Sequence, residues 1–251
     1  MKLKVLGCHG GELPSCRTTC FLVDEVLALD AGALTSTLSL DELCRVDNIL
    51  VGHSHFDHIK DLPLLADLVI GRRDTPVTIH ASEECAKALR EYMFNNALWP
   101  DFTQIPTRED PVLRIQTFRA GSTFQVGAYT VQSIPVSHPV ESCAFVVSQG
   151  GSSMAMSGDT GPTTELWQVL NGVKDLKALL LETSFPNALQ DLADLSGHLT
   201  PHTVQLELAK FQRNGTSVML YHLKPAFVSQ LKRELAHLPV EILELGDTFE
   251  F

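Results

Sequence analysis

Four short apolar runs in this chain each stop at a side chain able to bind a cation or carry a proton, and this pattern constrains the architecture more than any other feature. Asn48-Ile49-Leu50-Val51 leads to His53, Ile134-Pro135-Val136 to His138, Ala155-Met156-Ser157-Gly158 to Asp159, and Val218-Met219-Leu220-Tyr221 to His222. Short apolar runs of this kind read as buried strands. A polar group placed repeatedly just past a strand is what a site on one edge of a layered fold produces.

The rest of the pattern fills in the layers. Residues 3–6 read as a strand, 21–23 and 26–29 as a hairpin ending at Asp30-Ala31-Gly32, and 40–45 as a short helical piece. Leu62, Leu65, Ala66 and Val69 recur at helical spacing. Residues 77–80 read as a strand, and Ser82 caps a helix reaching 95 or 96. Residues 97–111, with Trp99, Phe102 and three prolines, have no period and read as an ordered irregular segment or the end of a lid. Strands at 112–118, 123–126, 130–135, 143–148 and 153–157, joined by glycine turns, predict antiparallel sheet. From Gly158 onward, helices near 164–170, 201–211 and 225–235 alternate with strands at 178–181, 218–220 and 240–243. Pro201 and Pro225 suit first helical turns. The fold class predicted is α/β: an αββα sandwich of two central mixed sheets flanked by helices, with residues 1–251 as one domain.

Composition narrows the partners. At 44% hydrophobic and 20% charged residues the chain can bury a real core. Thirty acidic against 19 basic side chains give a net charge of -11, a field that repels a long polyanion but leaves a small anion drawn in by bound cations as a partner. The start MKLKVLGCHGG lacks the apolar core of a secretory signal, and no stretch reaches the roughly 20 apolar residues of a membrane span. A cytoplasmic protein with no membrane partner is expected. The six scattered cysteines, without a CxxC, read as free thiols.

His53-Ser54-His55-Phe56-Asp57-His58 is the densest chemical signal. Imidazole and carboxylate donors suit borderline divalent ions such as Zn or Mn. This segment resembles the HxHxDH signature of the metallo-β-lactamase superfamily, and His138, Asp159 in SGDT and His222 in YHLKP match its further ligands in order. The resemblance implies an αββα fold and two divalent metal ions, Zn with Mn or Fe as alternatives. His53, His55 and His138 would hold one ion, Asp57, His58 and His222 the other, with Asp159 between them.

Leu181-Glu182-Thr183-Ser184-Phe185-Pro186-Asn187, Ser196-Gly197-His198-Leu199-Thr200-Pro201, His222-Leu223-Lys224-Pro225 and Arg17-Thr18-Thr19-Cys20 resemble the class II cyclic-nucleotide phosphodiesterases. That resemblance implies hydrolysis of a 3',5'-cyclic nucleotide, cyclic AMP or cyclic GMP, to the 5'-nucleotide. Asp57 would be catalytic as well as a ligand, and His198 a proton donor or phosphate contact, or else a histidine that hydrogen-bonds across its own turn. Thr200 is a substrate contact or the cap of the helix at Pro201, and Glu182 would accept from the free nitrogen of a metal-bound histidine or serve as a buried structural carboxylate. Two positions depart from the family pattern. Phe56 stands for the usual leucine and keeps an apolar packing role, while Asp61 replaces a small residue and puts an acid near the rim.

Tyr92, Phe94, Trp99 and Phe102 are candidates for a nucleobase wall, with core packing or a homodimer contact as the alternative for each. His9 could face the site or satisfy its own turn, His80 begins a loop, and His202 and His237 fall on helix surfaces. Competing readings are a transfer-RNA 3'-processing-like endonuclease, a lactone or thioester hydrolase, and a non-catalytic nucleotide-binding protein.

Overall fold

Neighbouring side chains on the central strands are sorted into different apolar layers. In a computed structural model describing residues 1–213 and 215–251, Phe21 and Val23 enter one core while Cys20 and Leu22 enter another. Likewise Leu180 faces the first core and Leu179 and Leu181 a third. A strand turns successive side chains to opposite faces, so a run that is apolar throughout must be covered on both sides. That requirement produces the sandwich.

The strands are β1 (Lys2–Gly7), β2 (Cys20–Val23), β3 (Leu27–Leu29), β4 (Asn48–Leu50), β5 (Val77–Ser82), β6 (Leu113–Phe118), β7 (Thr123–Val126), β8 (Tyr129–Pro135), β9 (Cys143–Gln149), β10 (Ser152–Met156), β11 (Leu176–Glu182), β12 (Ser217–Tyr221), β13 (Glu241–Ile242) and β14 (Thr248–Glu250). They form two seven-stranded sheets, ordered β14-β1-β2-β3-β4-β5-β6 and β13-β12-β11-β10-β9-β8-β7. Both are mixed, with antiparallel pairing in β1–β2–β3 and β7 to β10, and parallel pairing in β3 to β6 and β10 to β13.

The helices are α1 (Leu34–Thr37), α2 (Leu40–Leu43), α3 (Phe56–Ile59), α4 (Leu62–Val69), α5 (Glu83–Ala88), α6 (Glu165–Gly172), α7 (Gln190–Ser196), α8 (Pro201–Leu208) and α9 (Val228–Leu235). Leu62, Leu65, Ala66 and Val69 of α4 sit in the core outside the first sheet, as their spacing predicts, and Leu231 and Leu235 of α9 lie outside the second. Among the described residues no helix is long and apolar enough to cross a membrane. All six cysteines are free, five of them buried.

Three expectations change. The run beginning at Val112 does not join the antiparallel meander: β6 pairs parallel with β5 at the edge of the first sheet, because α5 and the following segment carry the chain back for a crossover. That segment is not a lid. Phe94 and Phe102 are buried in the outer core of the first sheet with Trp99 packed against them, and only Tyr92 is largely exposed. The segment enters β6 at the end of the sheet opposite the one where β4 delivers His53, so these aromatics lie away from the donor set. His80 does not start a loop either; it lies within β5, nearly buried, with Nε2 2.9 Å from Asn48 Oδ1.

Burial holds the His80 imidazole down at about 4, against an ordinary 6.5. The unfolded chain therefore takes the proton first, and stability present above pH 6.5 is lost as pH falls toward 4. His80→Gln keeps an amide donor without titrating. Denaturant unfolding at pH 7 and pH 5 should show the unsubstituted protein losing up to about 2 kcal/mol more than this variant; equal losses would remove His80 from the acid limb.

Candidate metal centre

The edge where β4, β8, β10 and β12 end gathers the whole predicted donor set. Past β4 the chain stays extended through His55, then closes the single turn of α3, which swings Asp57 and His58 inward. His138, Asp159 and His222 arrive from the second sheet. His58 Nε2 lies 3.2 Å and His222 Nε2 3.3 Å from Asp159 Oδ2, with His53 Nε2 at 3.8 Å. Asp57 Oδ2 is 3.3 Å from His222 Nε2 and 3.8 Å from His58 Nε2. His138 Nε2 meets His55 Nδ1 at 3.2 Å. Donor atoms fall into overlapping groups, each within 4.8 Å: His53, His55 and His138; His53, His58 and Asp159; Asp57, His58 and His222; and Asp159, His198 and His222.

These groups fit divalent cations on their own chemistry. Both ring nitrogens of His53 and Oδ1 of Asp159 are buried without a protein partner, a cost of about 1–3 kcal/mol each if they met nothing. Burial and the neighbouring His58 charge push the His53 imidazole well below its ordinary range, leaving the neutral ring that a metal requires. Burial opposes the charge of Asp159, yet His222 and then His58 hold its carboxyl well below the usual range. Asp57 is likewise opposed by burial and held down by the His222 hydrogen bond.

Surrounding groups aim the rings. His58 Nδ1 lies 2.6 Å from Asp30 Oδ2, and Asp30 Oδ1 accepts from Gly52 N–H at 2.9 Å. His222 Nδ1 is 2.8 Å from Ser184 Oγ. His138 Nδ1 donates to the Gly197 carbonyl at 2.9 Å. Such contacts fix the tautomer and leave Nε2 for a cation. Gly197 ends α7 at φ +67°, where a Cβ would come within 2.7 Å of Pro139 and 3.0 Å of the His138 ring. His222 itself adopts φ +69°, a left-handed conformation uncommon for a non-glycine residue and typical of constrained sites.

Glu182 departs from expectation. Its Oε1 lies 2.9 Å from His198 Nδ1 and accepts from the backbone of Thr160 and Leu199, while Oε2 accepts from Ser184 Oγ. It therefore reaches the candidate donor His222 only through Ser184. Burial works against a charged His198, but Glu182 outweighs it and raises the imidazole above its ordinary value.

Thr200 takes the capping role: it is fully buried, its hydroxyl accepts from Thr203 N–H at 3.3 Å, and it donates to Gln190. Asp61 is not at the rim but 2% exposed, accepting from Thr35 N–H at 2.7 Å and pairing with Lys60 at 2.8 Å. Phe56 does not pack inward; it is 66% exposed beside the donors. His9 is tied by backbone bridges to Thr18 and Leu223 and stands outside the donor groups. His202 and His237 are exposed.

A sandwich of two mixed sheets with histidines and aspartates converging on one edge defines the metallo-β-lactamase hydrolase fold. The chain belongs to the β-lactamase superfamily: the family model described as "Beta-lactamase superfamily domain" matches residues 19–223. A probable 3',5'-cyclic-nucleotide phosphodiesterase of Yersinia pestis is 30% identical over 208 residues, covering 72% of this chain and 58% of that protein, so the match spans under two thirds of the relative's length. A ribonuclease Z of Methanococcus maripaludis is 32% identical over 106 residues, covering 42% of this chain and 32% of its own. Unliganded yeast PDE1 shares the fold, with a TM-score of 0.84 at 19% identity over 100% of this chain and 99% of the other. The family resemblance read from the sequence thus holds.

Asp159 touches donors of both sheets, so Asp159→Ala should lower bound divalent metal by at least one ion per chain when purified protein is quantified by mass spectrometry. Undiminished metal content would refute its bridging place.

Proposed function

We propose that this chain hydrolyses 3',5'-cyclic nucleotides to 5'-nucleotides with two divalent ions, zinc foremost. His53, His55 and His138 would hold one ion and Asp57, His58 and His222 the other, with Asp159 shared. When bound, the ions supply an acidified water and neutralise charge on the phosphate oxygens.

The observation that carries the reading is the His198–Glu182 pair beside the donor set. Nδ1 of His198 is committed to Glu182, which leaves Nε2 as the nitrogen to serve a substrate, and the ring stacks 5.3 Å from His222. A 3' alkoxide is a poor leaving group and needs a proton. His198 gives that proton to the 3' oxygen as its bond to phosphorus breaks, and Glu182 steadies the resulting imidazole. Asp57, partly open to solvent, takes the proton from the water whose oxygen bonds to phosphorus. The phosphate remains on the 5' oxygen.

The 30% identity to the Yersinia pestis protein supports a cyclic phosphodiester as substrate. Similarity to ribonuclease Z favours an RNA-processing alternative, against which stands the net charge of -11. A panel of cyclic AMP, cyclic GMP, a precursor transfer RNA and a simple lactone separates them. Turnover of a cyclic nucleotide is expected; efficient cleavage of only the RNA or the lactone would overturn the proposal.

His198→Ala should lower cyclic-nucleotide turnover about 10²–10⁴-fold with metal content intact. A diester with a nitrophenolate leaving group, which departs without a proton, should lose far less. Equal losses on both substrates would deny His198 the acid role.

A further inference from the structure

Far from the metal centre, three arginines converge on one cavity. Arg90, Arg108 and Arg114 line an open recess of about 260 Å³ with Thr103, Gln104 and an apolar floor that includes Leu113. They come from separate pieces of chain: a π-helical turn (Leu89–Met93), the irregular segment before β6, and β6 itself. Arg114 is in register with Thr78, and Thr78 with Asn48, the first residue of β4. His53 lies beyond the other end of that strand, roughly 16 Å further along the strand direction. The two places occupy opposite edges of the sheet.

Arg45 pairs with Glu25 and Arg73 with Asp47, whereas among the described residues Arg17, Arg72, Arg119, Arg213 and Arg233 make no ion pair. Among the described residues Arg90, Arg108 and Arg114 make no ion pair, although the chain carries 30 carboxylates. A charged residue on an edge strand ordinarily blunts strand pairing, which accounts for Arg114 alone. It does not account for Arg90 and Arg108, exposed residues from other pieces of chain that line the same recess. The π-helical turn, a geometry frequent at functional positions, is what carries Arg90.

We propose that this recess binds a compact polyphosphate group, a di- or triphosphate, free or carried on a nucleotide. Guanidinium forks match the paired oxygens of phosphate bidentately, and three of them suit an anion carrying several charges in a small volume. The overall charge of -11 favours a small anion over a nucleic acid strand.

Calorimetric titration of the metal-loaded protein with tripolyphosphate and with adenosine triphosphate at about 0.15 M salt, with protein metal content measured before and after, tests this. Saturable one-to-one binding is expected, weakened at least about tenfold by each of Arg90→Gln, Arg108→Gln and Arg114→Gln. It should be unchanged by Arg233→Gln, an exposed arginine of α9, and by Asp159→Ala. Equal affinity for the two ligands supports recognition of the chain alone; tighter adenosine triphosphate supports a nucleotide. The proposal falls if binding is absent, if Asp159→Ala abolishes it while the arginine variants keep it, if Arg233→Gln weakens it equally, or if a short single-stranded RNA competes better than tripolyphosphate.

Discussion

The Asp159 carboxylate, 1% exposed and facing His53, His58 and His222, is the contact around which both sheets are registered. A buried carboxylate without compensating charge is among the most expensive groups a core can contain. Its compensation comes from both sheets: His222, like Asp159, follows a strand of the second sheet, while His53 and His58 reach it across the sandwich from the end of β4. The two edges are consequently held to a spacing that the apolar layers alone would not specify, since those layers tolerate small slips as long as volume is conserved. Asp30 continues the chain of dependence: it joins His58 to the Gly52 N–H just before His53, so the turn carrying the ligands is braced from within its own sheet.

Residues whose role follows from strand periodicity were readable in advance, and residues whose role depends on what faces them were not. His53, His138, Asp159 and His222 follow apolar strands, so position along the chain already placed them at one edge. Asp30 obeys the same rule after β3, but its place in a hairpin-like turn gave a sufficient local reason for an aspartate and hid its contact with His58. Ser184 carried no signal of its own. Glu182 lies beside the donor set, but which imidazole it faces depends on the return of the chain through α7, a helix with only Ala193 buried and thus no apolar stripe to announce it. β14 is three residues long and becomes a strand by pairing with β1. Phe56 faces outward because α3 is one turn long and its facing is set by its ends, while Asp61 stands at the start of α4 and is buried by its contacts with Thr35 and Lys60.

Gly197 carries a consequence for how the site can change. Its carbonyl holds the His138 ring, its left-handed backbone ends α7, and the next residue is His198. Any displacement of α7 therefore reaches the proposed metal donor His138 and the proposed proton donor His198 as one movement, like two hands geared to a single wheel. Substitutions in that helix would retune cation affinity and leaving-group protonation together. Separate adjustment would have to act through the far partners, the His55 ring on one side and Glu182 on the other.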